Sequence, residues 1–150
     1  LTSNEIDIDT YIEEYQELIY DNQKESMLET GISLALTIVY FVIFQFMNKG
    51  QTIGKKLLHI KVVDKDSQKD ISLAKYLLRE LIFFGIASSG LYLILINILC
   101  KKSFMSAYLT IGSIETIFIV LTIIFVLYRK DGRGLHDMMA GSTVVKVGEN

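Results

Sequence analysis

The sequence contains no proline, no tryptophan and a single cysteine among its 150 residues. One cysteine, Cys100, excludes an internal disulfide and leaves no cysteine cluster to hold a metal ion. Without proline, no helix is kinked by the loss of a backbone donor. Charge is also almost absent from three long stretches, and this absence decides the class of protein.

These stretches are long and apolar enough to cross a membrane. Residues 30–48 and 81–100 carry no charge, and residues 103–128 carry only Glu115. A helix needs about 20 residues to cross a hydrocarbon core about 30 Å thick. A soluble bundle would show a polar stripe on each helix, and none is seen here. The sequence predicts an all-α membrane protein with three transmembrane helices, at about residues 30–48, 79–100 and 108–128.

Charge differs in sign between the connecting segments. Residues 1–29 contain nine acidic side chains and one lysine, whereas residues 49–79 contain eight basic ones. The positive-inside rule therefore places the loop 49–78 and the tail 129–150 in the cytoplasm. The acidic segment 1–29 is then extracytoplasmic, and the rest, residues 30–150, forms the membrane domain.

The predicted orientation puts the N-terminal segment outside the membrane with no leader sequence before it. The chain begins with Leu1, so we expect either a cleaved signal peptide or an upstream helix, which would make four spans. Within the segment, Ile8, Tyr11, Ile12 and Tyr15 recur at helical spacing. This spacing predicts an amphipathic helix that lies against the membrane surface or a partner.

Two short β-branched segments follow glycine-containing turns on the predicted cytoplasmic side. They are residues 60–64 ("IKVVD") and residues 143–147 ("TVVKV"). Because a lone strand leaves its backbone groups unpaired, we predict that these two segments pair as a small cytoplasmic two-stranded β cap. Between them, Ser72 is the predicted N-cap of a helix that leads into the second span.

Three motifs resemble the RDD family of small bacterial membrane proteins: "GQTIGKKLLHIKVVD", "SLAKYLLREL" and "GRGLHDMMAGSTVV". The resemblance covers about residues 30–147 and implies a multi-pass protein of the bacterial plasma membrane, with a transport or accessory role. The family is named for one Arg and two Asp, of which only the last Asp has a counterpart here. The residues that carry the resemblance are Gly50, Gln51, Thr52, Gly54, Lys55, Arg79, His136, Asp137, Gly141 and Thr143.

His136 and Asp137 are the first candidates for chemistry. They are neighbours in sequence, and adjacent side chains on a helix do not face each other, so we do not expect a catalytic pair. A structural role is the simpler interpretation, with His136 capping a short helix and Asp137 forming an ion pair with Arg79. A metal site built with His59 would have no fixed geometry, so no metal is predicted.

Glu115 is the second candidate, because a carboxylate at membrane depth is a functional-site hypothesis by default. Two other interpretations are open: a protonated Glu115 bound to a neighbouring span, or a side chain that reaches outward to water. We expect Glu115 to lie about a turn and a half inside the outer end of the third span. Asn97 is its predicted partner.

No catalytic constellation, cofactor motif or nucleic-acid-binding pattern is present, so we expect no enzyme. Small residues four apart, such as Gly31 and Ala35, permit close contact with another helix. We therefore expect a non-catalytic accessory subunit that assembles with other membrane proteins or with copies of itself. The alternative is a cation- or proton-coupled transporter that uses Glu115, placed second because the sequence indicates one intramembrane carboxylate and no broken helix.

Overall fold

The structure, a computed structural model, describes residues 7–148 and is mainly helical. The first six residues of the predicted acidic segment and the last two of the tail lie outside the described residues. In chain order the elements are α1 (Ile8–Glu25), α2 (Met27–Thr37), a π-helical stretch (Ile38–Phe44), α3 (Gln45–Met47), α4 (Ile53–Leu57), β1 (Ile60–Asp64), α5 (Leu73–Phe83), α6 (Ile86–Ile98), α7 (Lys101–Tyr128), α8 (Leu135–Ala140) and β2 (Ser142–Lys146).

The first candidate membrane span consists of α2, the π-helical stretch and α3. Together they form a continuous helix, Met27–Met47, of 21 residues with a mean hydropathy of 2.0. At 1.5 Å per residue this helix is about 31 Å long, which matches the hydrocarbon core of a bilayer. It agrees with the span predicted at residues 30–48. Only Val42 and Gln45 are buried along it.

The longest element is α7, with 28 residues and a mean hydropathy of 2.3. α7 begins at Lys101, seven residues before the third span predicted at about residues 108–128, so residues 101–107 are helical as well. Cys100, in an extended conformation, is its N-cap. The chain reverses direction between α6 and α7 at Leu99 and Cys100. Because these two residues form the whole turn, the polar residues 101–103 ("KKS") can belong to the helix.

The predicted second span is not one continuous helix. α5 and α6 meet at an angle of 72°. Gly85 lies at the break with φ +64°, a left-handed conformation that favours glycine. The described part of the chain thus has two helices long and apolar enough to cross a membrane, or three crossings if the bent pair is one span.

The predicted strand pairing is confirmed. β1 and β2 are antiparallel, with Val62 opposite Val144 and Asp64 opposite Ser142. β2 begins one residue earlier than predicted. Val62 and Val63 are fully buried. We call this end of the molecule the sheet end.

Two separate apolar cores hold the helices. At the sheet end, the core contains Val42, Val62, Ile71, Tyr76 and Ile86. At the opposite end, which we call the α1 end, Tyr20 of α1 packs edge-on against the buried Phe104 ring. Most of the apolar face of α1 is exposed, including Ile8, Tyr11 and Tyr15. The helix predicted for this segment forms, but little of it is covered by the rest of the chain.

Candidate functional site

The first candidate site is a cluster of buried charged side chains at the sheet end. α5 contributes Arg79 and Glu80, and α8 contributes Asp137. Their exposed fractions are 6%, 2% and 4%, which is rare for charged residues unless they are paired. We call these three residues and their contacts the charge cluster.

The structure brings Arg79 and Asp137 together, as the sequence predicted. Arg79 Nη1 donates to Asp137 Oδ1 and also to Ser142 Oγ at 3.2 Å. The Ser142 hydroxyl in turn donates to Asp137 Oδ1 at 2.9 Å. Arg79 Nε lies 3.2 Å from Glu80 Oε1, although its N–H is not aligned for a hydrogen bond. One guanidinium therefore joins α5, α8 and the start of β2.

His136 does contact Asp137, contrary to the expectation for sequence neighbours. Nε2 of His136 lies 3.2 Å from Asp137 Oδ2, and the imidazole packs at 4.9 Å against the Phe83 ring. The contact forms because α8 has only six residues, and the imidazole is held near the carboxylate by the adjacent α5. The predicted role of His136 as a helix cap is not seen, since α8 has Gly134 as its N-cap.

Opposing effects act on the Asp137 carboxyl. Burial raises its pKa, but the contact with His136 and the charge of Arg79 outweigh burial, so the pKa of Asp137 lies below its ordinary value. The carboxyl is therefore ionised at neutral pH, which suits a structural ion pair. Removal of one partner from such a pair leaves an uncompensated buried charge.

Arg133 completes the cluster, and the sequence reading missed it. Its Nε donates to the Ser142 carbonyl at 2.8 Å, and its Nη2 donates to the Asp137 carbonyl at 3.2 Å. Arg133 thus binds one buried backbone carbonyl of α8 and one of the first residue of β2. In the sequence Arg133 lies between two glycines, in "GRG", and this local pattern does not indicate burial.

Lys55 approaches the cluster from the other side. Its ammonium group donates to Oε1 of the fully buried Gln45 at 3.0 Å. Burial and then repulsion by Arg79 lower the pKa of Lys55 to about 8, while Glu80 and Asp137 act in the opposite direction. Gln45 was not predicted as a site residue, because an isolated Gln near the end of an apolar run gives no local signal.

The remaining motif residues build the turns around the cluster. Gln51 Nε2 donates to the Ile60 carbonyl at 3.0 Å. Thr52 is the N-cap of α4, and its hydroxyl accepts from the Lys55 amide at 3.4 Å. Gly141 ends α8 with φ +62°, and Thr143 lies opposite Val63 in the sheet. These residues stabilise the turns and the strand pairing of the two-stranded cap, and they present no reactive group.

The second candidate site surrounds Glu115. This residue lies 14 positions after Lys101 and 13 before Tyr128 in α7, about 20 Å from either end of the helix. It is thus near the middle of the long helix, because α7 begins at residue 101 and not at about residue 108. The depth of Glu115 in a membrane stays a prediction.

Glu115 faces the break between α5 and α6. A methyl group at Gly85 would lie 3.0 Å from Glu115 Oε1 and 3.3 Å from Ser88 Oγ. The predicted partner, Asn97, is elsewhere: its amide donates to the Leu93 carbonyl of its own helix at 2.8 Å. Because α6 and α7 run antiparallel from their connection at residues 99–100, Asn97 lies near the α1 end, far from the level of Glu115.

Two cavities open beside the Glu115 side chain. One, of about 230 Å³, is lined by Ser88, Leu91 and Ile111 among others. The other, of about 660 Å³, is an open groove along α7 that we call the α7 groove. Its lining includes Tyr92, Tyr108, Leu109, Gly112, Ser113 and Thr116 as well as Glu115. Glu115 therefore lines both cavities.

No group of three or more His, Cys, Asp or Glu side chains gathers as a metal site within residues 7–148. His59, considered with His136 and Asp137, is exposed next to β1, and its carbonyl accepts from the Val147 amide at 2.7 Å. The charge cluster joins helices and sheet, while Glu115 is a carboxyl that lines two cavities beside α7.

Comparison with models of protein families tests the family resemblance that the three sequence motifs indicated. The RDD family model matches residues 18–141, which is most of the chain. The chain belongs to the RDD family. The match begins upstream of the residue 30 inferred from the motifs and includes the end of α1. No curated protein and no solved structure gives a significant match to this RDD protein.

Proposed function

We propose that this RDD protein is a non-catalytic membrane transporter in which the Glu115 carboxyl binds and releases a proton or a small cation. One observation carries the proposal: the break at Gly85 faces Glu115 near the middle of the longest apolar helix. Transporters commonly place their coupling-ion sites at broken helices near the bilayer midplane. An ionisable side chain at that depth is costly and is retained where it serves an ion path.

The position of Glu115 weighs against the simpler interpretations of this residue. If α7 is centred in a hydrocarbon core about 30 Å thick, a side chain that reaches outward to water would need to cover about 15 Å, more than its own length. A structural hydrogen bond to the neighbouring span was predicted through Asn97, which lies elsewhere. The lack of a broken helix was one of the two reasons to place transport second, and the 72° bend removes that reason.

Proton flux in proteoliposomes tests the proposal. The purified protein would be reconstituted with a trapped pH-sensitive dye, and flux would be driven by a proton or Na⁺ gradient. We expect Glu115→Gln to reduce flux at least tenfold, because the amide cannot release a proton or bind a cation as a carboxylate does. Glu14→Gln, on the exposed surface of α1, is the matched control and should keep full flux. Equal flux in the Glu115 and Glu14 variants would refute the proposal.

A second candidate is the non-catalytic accessory subunit that the sequence favoured. This candidate is supported by the exposed surface of the two long helices. In both Met27–Met47 and α7, only 6% of an 18-residue apolar stretch is buried by the rest of the chain. The exposed apolar face of α1 adds to this uncovered surface. Purification in mild detergent followed by mass spectrometry distinguishes this candidate. It requires a different membrane protein in a fixed ratio, with crosslinks on α1, and it fails if the chain is recovered alone.

A further inference from the structure

The missing side chain of Gly85 leaves a small space beside which three oxygen atoms lie. From the position that a Cβ on Gly85 would take, Glu115 Oε1 is 3.0 Å away, Ser88 Oγ 3.3 Å and Ser89 Oγ 3.9 Å. The carboxyl comes from α7 and both hydroxyls come from the first turn of α6. We call this position, with the three oxygens near it, the Gly85 space.

The Ser88 hydroxyl has no proton left for the Glu115 carboxyl. Ser88 is 7% exposed, and its Oγ donates to the Gly85 carbonyl at 3.1 Å, so only its lone pairs are available. Within residues 7–148, the Glu115 carboxyl accepts no hydrogen bond. Oxygen acceptors that share a space without a proton between them repel each other, and a cation bound to both removes this repulsion.

The sign of charge at the Gly85 space is determined by Glu115. α5 ends at the break with the negative end of its dipole, and α6 begins there with the positive end of its own, so the two dipoles offset each other. An ionised Glu115 then adds one negative charge. One carboxylate with neutral hydroxyls suits a monovalent cation, whereas Ca²⁺ binds six to eight oxygens that usually include several carboxylates.

A small ion can reach the Gly85 space through the smaller of the two cavities. This cavity, of about 230 Å³, is lined by both Ser88 and Glu115. Its other lining residues are apolar: Ala87, Leu91, Ile111 and Ile114. An apolar wall offers no competing ligand, and its low dielectric constant strengthens the attraction between a cation and the carboxylate.

We propose that the Gly85 space binds a partly dehydrated alkali cation, with Glu115 as the charged ligand and the Ser88 and Ser89 hydroxyls as neutral ligands. The inference rests on the proposed function and names the cation that Glu115 binds. Gly85 then has two roles. It adopts φ +64°, and it leaves vacant the place that a side chain would take from the ion.

Equilibrium binding of radioactive Na⁺ to the purified full chain in detergent tests the site, with choline chloride to keep the ionic strength constant. We expect saturable binding that an equal concentration of Ca²⁺ does not displace. Ser89→Ala should weaken binding about tenfold, because it removes a ligand whose Oγ has no hydrogen bond within residues 7–148. Ser33→Ala is the matched control, because Ser33 is exposed on α2.

Gly85→Ala should abolish Na⁺ binding, since its methyl group would fill the Gly85 space. This substitution also strains the backbone, so Ser89→Ala is the deciding variant. Equal Na⁺ affinities of Ser89→Ala and Ser33→Ala would overturn the proposal. The absence of saturable Na⁺ binding by the native chain, or its displacement by Ca²⁺, would overturn it as well.

The cation site and the transport function can fail separately. Flux of protons and of Na⁺ would be measured in proteoliposomes beside the binding assay. A native chain that moves protons but does not bind Na⁺ would overturn the cation site alone. A native chain that binds Na⁺, with weaker binding in Ser89→Ala, but moves neither ion would overturn transport alone. Glu115→Gln should lose both Na⁺ binding and flux.

Discussion

At the residue scale, the two glycines of "GQTIG" have different roles. Gly50 has φ +90°, and a Cβ there would lie 2.3 Å from the Val62 carbonyl oxygen. The turn therefore packs directly onto β1, and no side chain fits. Gly54 lies in α4, and a Cβ there would meet nothing within 4 Å. The first glycine is required by the packing of the cap, and the second is not.

Substitution of each glycine tests this difference. We expect Gly50→Ala to lower the free energy of unfolding by about 2 kcal/mol or more, because both the backbone conformation and the space are incompatible with a side chain. Gly54→Ala should be neutral or slightly stabilising, since alanine favours a helix. Thermal unfolding in detergent measures both. Equal effects of the two substitutions would show that the turn does not pack on β1 as described.

Lys55 predicts a pH dependence of stability. Its pKa in the folded protein is lowered to about 8, below the ordinary value of 10.5, by burial and by Arg79. Between these values the unfolded chain binds more protons than the folded one, so stability rises with pH across this window. Below about pH 8 both states are protonated, and this contribution no longer changes.

Thermal unfolding measured between about pH 7 and pH 10 tests this expectation. The native chain should gain stability above about pH 8, and Lys55→Met should lose most of that gain. Lys56→Met is the control, because Lys56 is exposed and donates only to Asn48 Oδ1, at 2.8 Å. If the stability of the native chain and that of Lys55→Met change with pH in the same way, Lys55 does not titrate in this range.

At the element scale, the charge cluster is the joint between α5, α8 and β2. Arg79 and Arg133 together bind the Asp137 carboxylate, the Asp137 carbonyl and both oxygens of Ser142. Gly134 permits the close approach of this region to α7, since a Cβ there would lie 2.7 Å from Thr122 Cγ2. The motif "GRGLHDMMAGS" is thus a structural joint, with no reactive group assigned to it.

Loss of the Asp137 carboxylate should weaken this joint strongly. Asp137→Ala removes one of the two carboxylates beside the buried Arg79, and we expect a cost of about 3 kcal/mol or more in the free energy of unfolding. Glu17→Ala is the matched control. Its carboxylate pairs with Lys101 at 2.6 Å on the surface, where water screens the pair, and a much smaller loss is expected. Chemical denaturation in detergent would measure the loss of stability in both variants. Similar losses would show that the buried ion pair stabilises the fold no more than the surface pair does.

At the scale of the whole molecule, the orientation in the membrane stays a prediction from charge. Cys100 precedes the first residue of α7, and Lys130 lies two residues beyond its last, so the two mark opposite ends of one candidate span. If the basic loop and tail are cytoplasmic, Cys100 is outside the cell and Lys130 is inside.

Labelling of intact cells with an impermeant maleimide tests the orientation. Cys100, the single native cysteine and an exposed one, should be labelled. Lys130→Cys combined with Cys100→Ser should be labelled only after the membrane is permeabilised. The reverse pattern would invert the orientation, and labelling of both positions in intact cells would show that α7 does not cross the membrane.

Much of the architecture was predictable from local patterns. The apolar stretches marked the helical segments, β-branched residues marked the two strands, and the need to pair backbone groups joined them. Arg79 and Asp137 were paired because both were expected at the same membrane face. Gln45, Arg133 and Ser142 were missed, since each becomes part of the charge cluster only through residues distant in sequence, and none differs locally from an ordinary polar residue.

The sequence by itself determined that this is a helical membrane protein of the RDD family with a two-stranded cap. Hydropathy and strand patterning are properties of neighbouring residues, so no packing is needed to detect them. Only the tertiary structure decided that the second apolar stretch breaks at Gly85 and that the break faces Glu115. Glycine is tolerated within a helix, and its left-handed conformation here depends on the packing of α5 and α6 against α7, which no local pattern records.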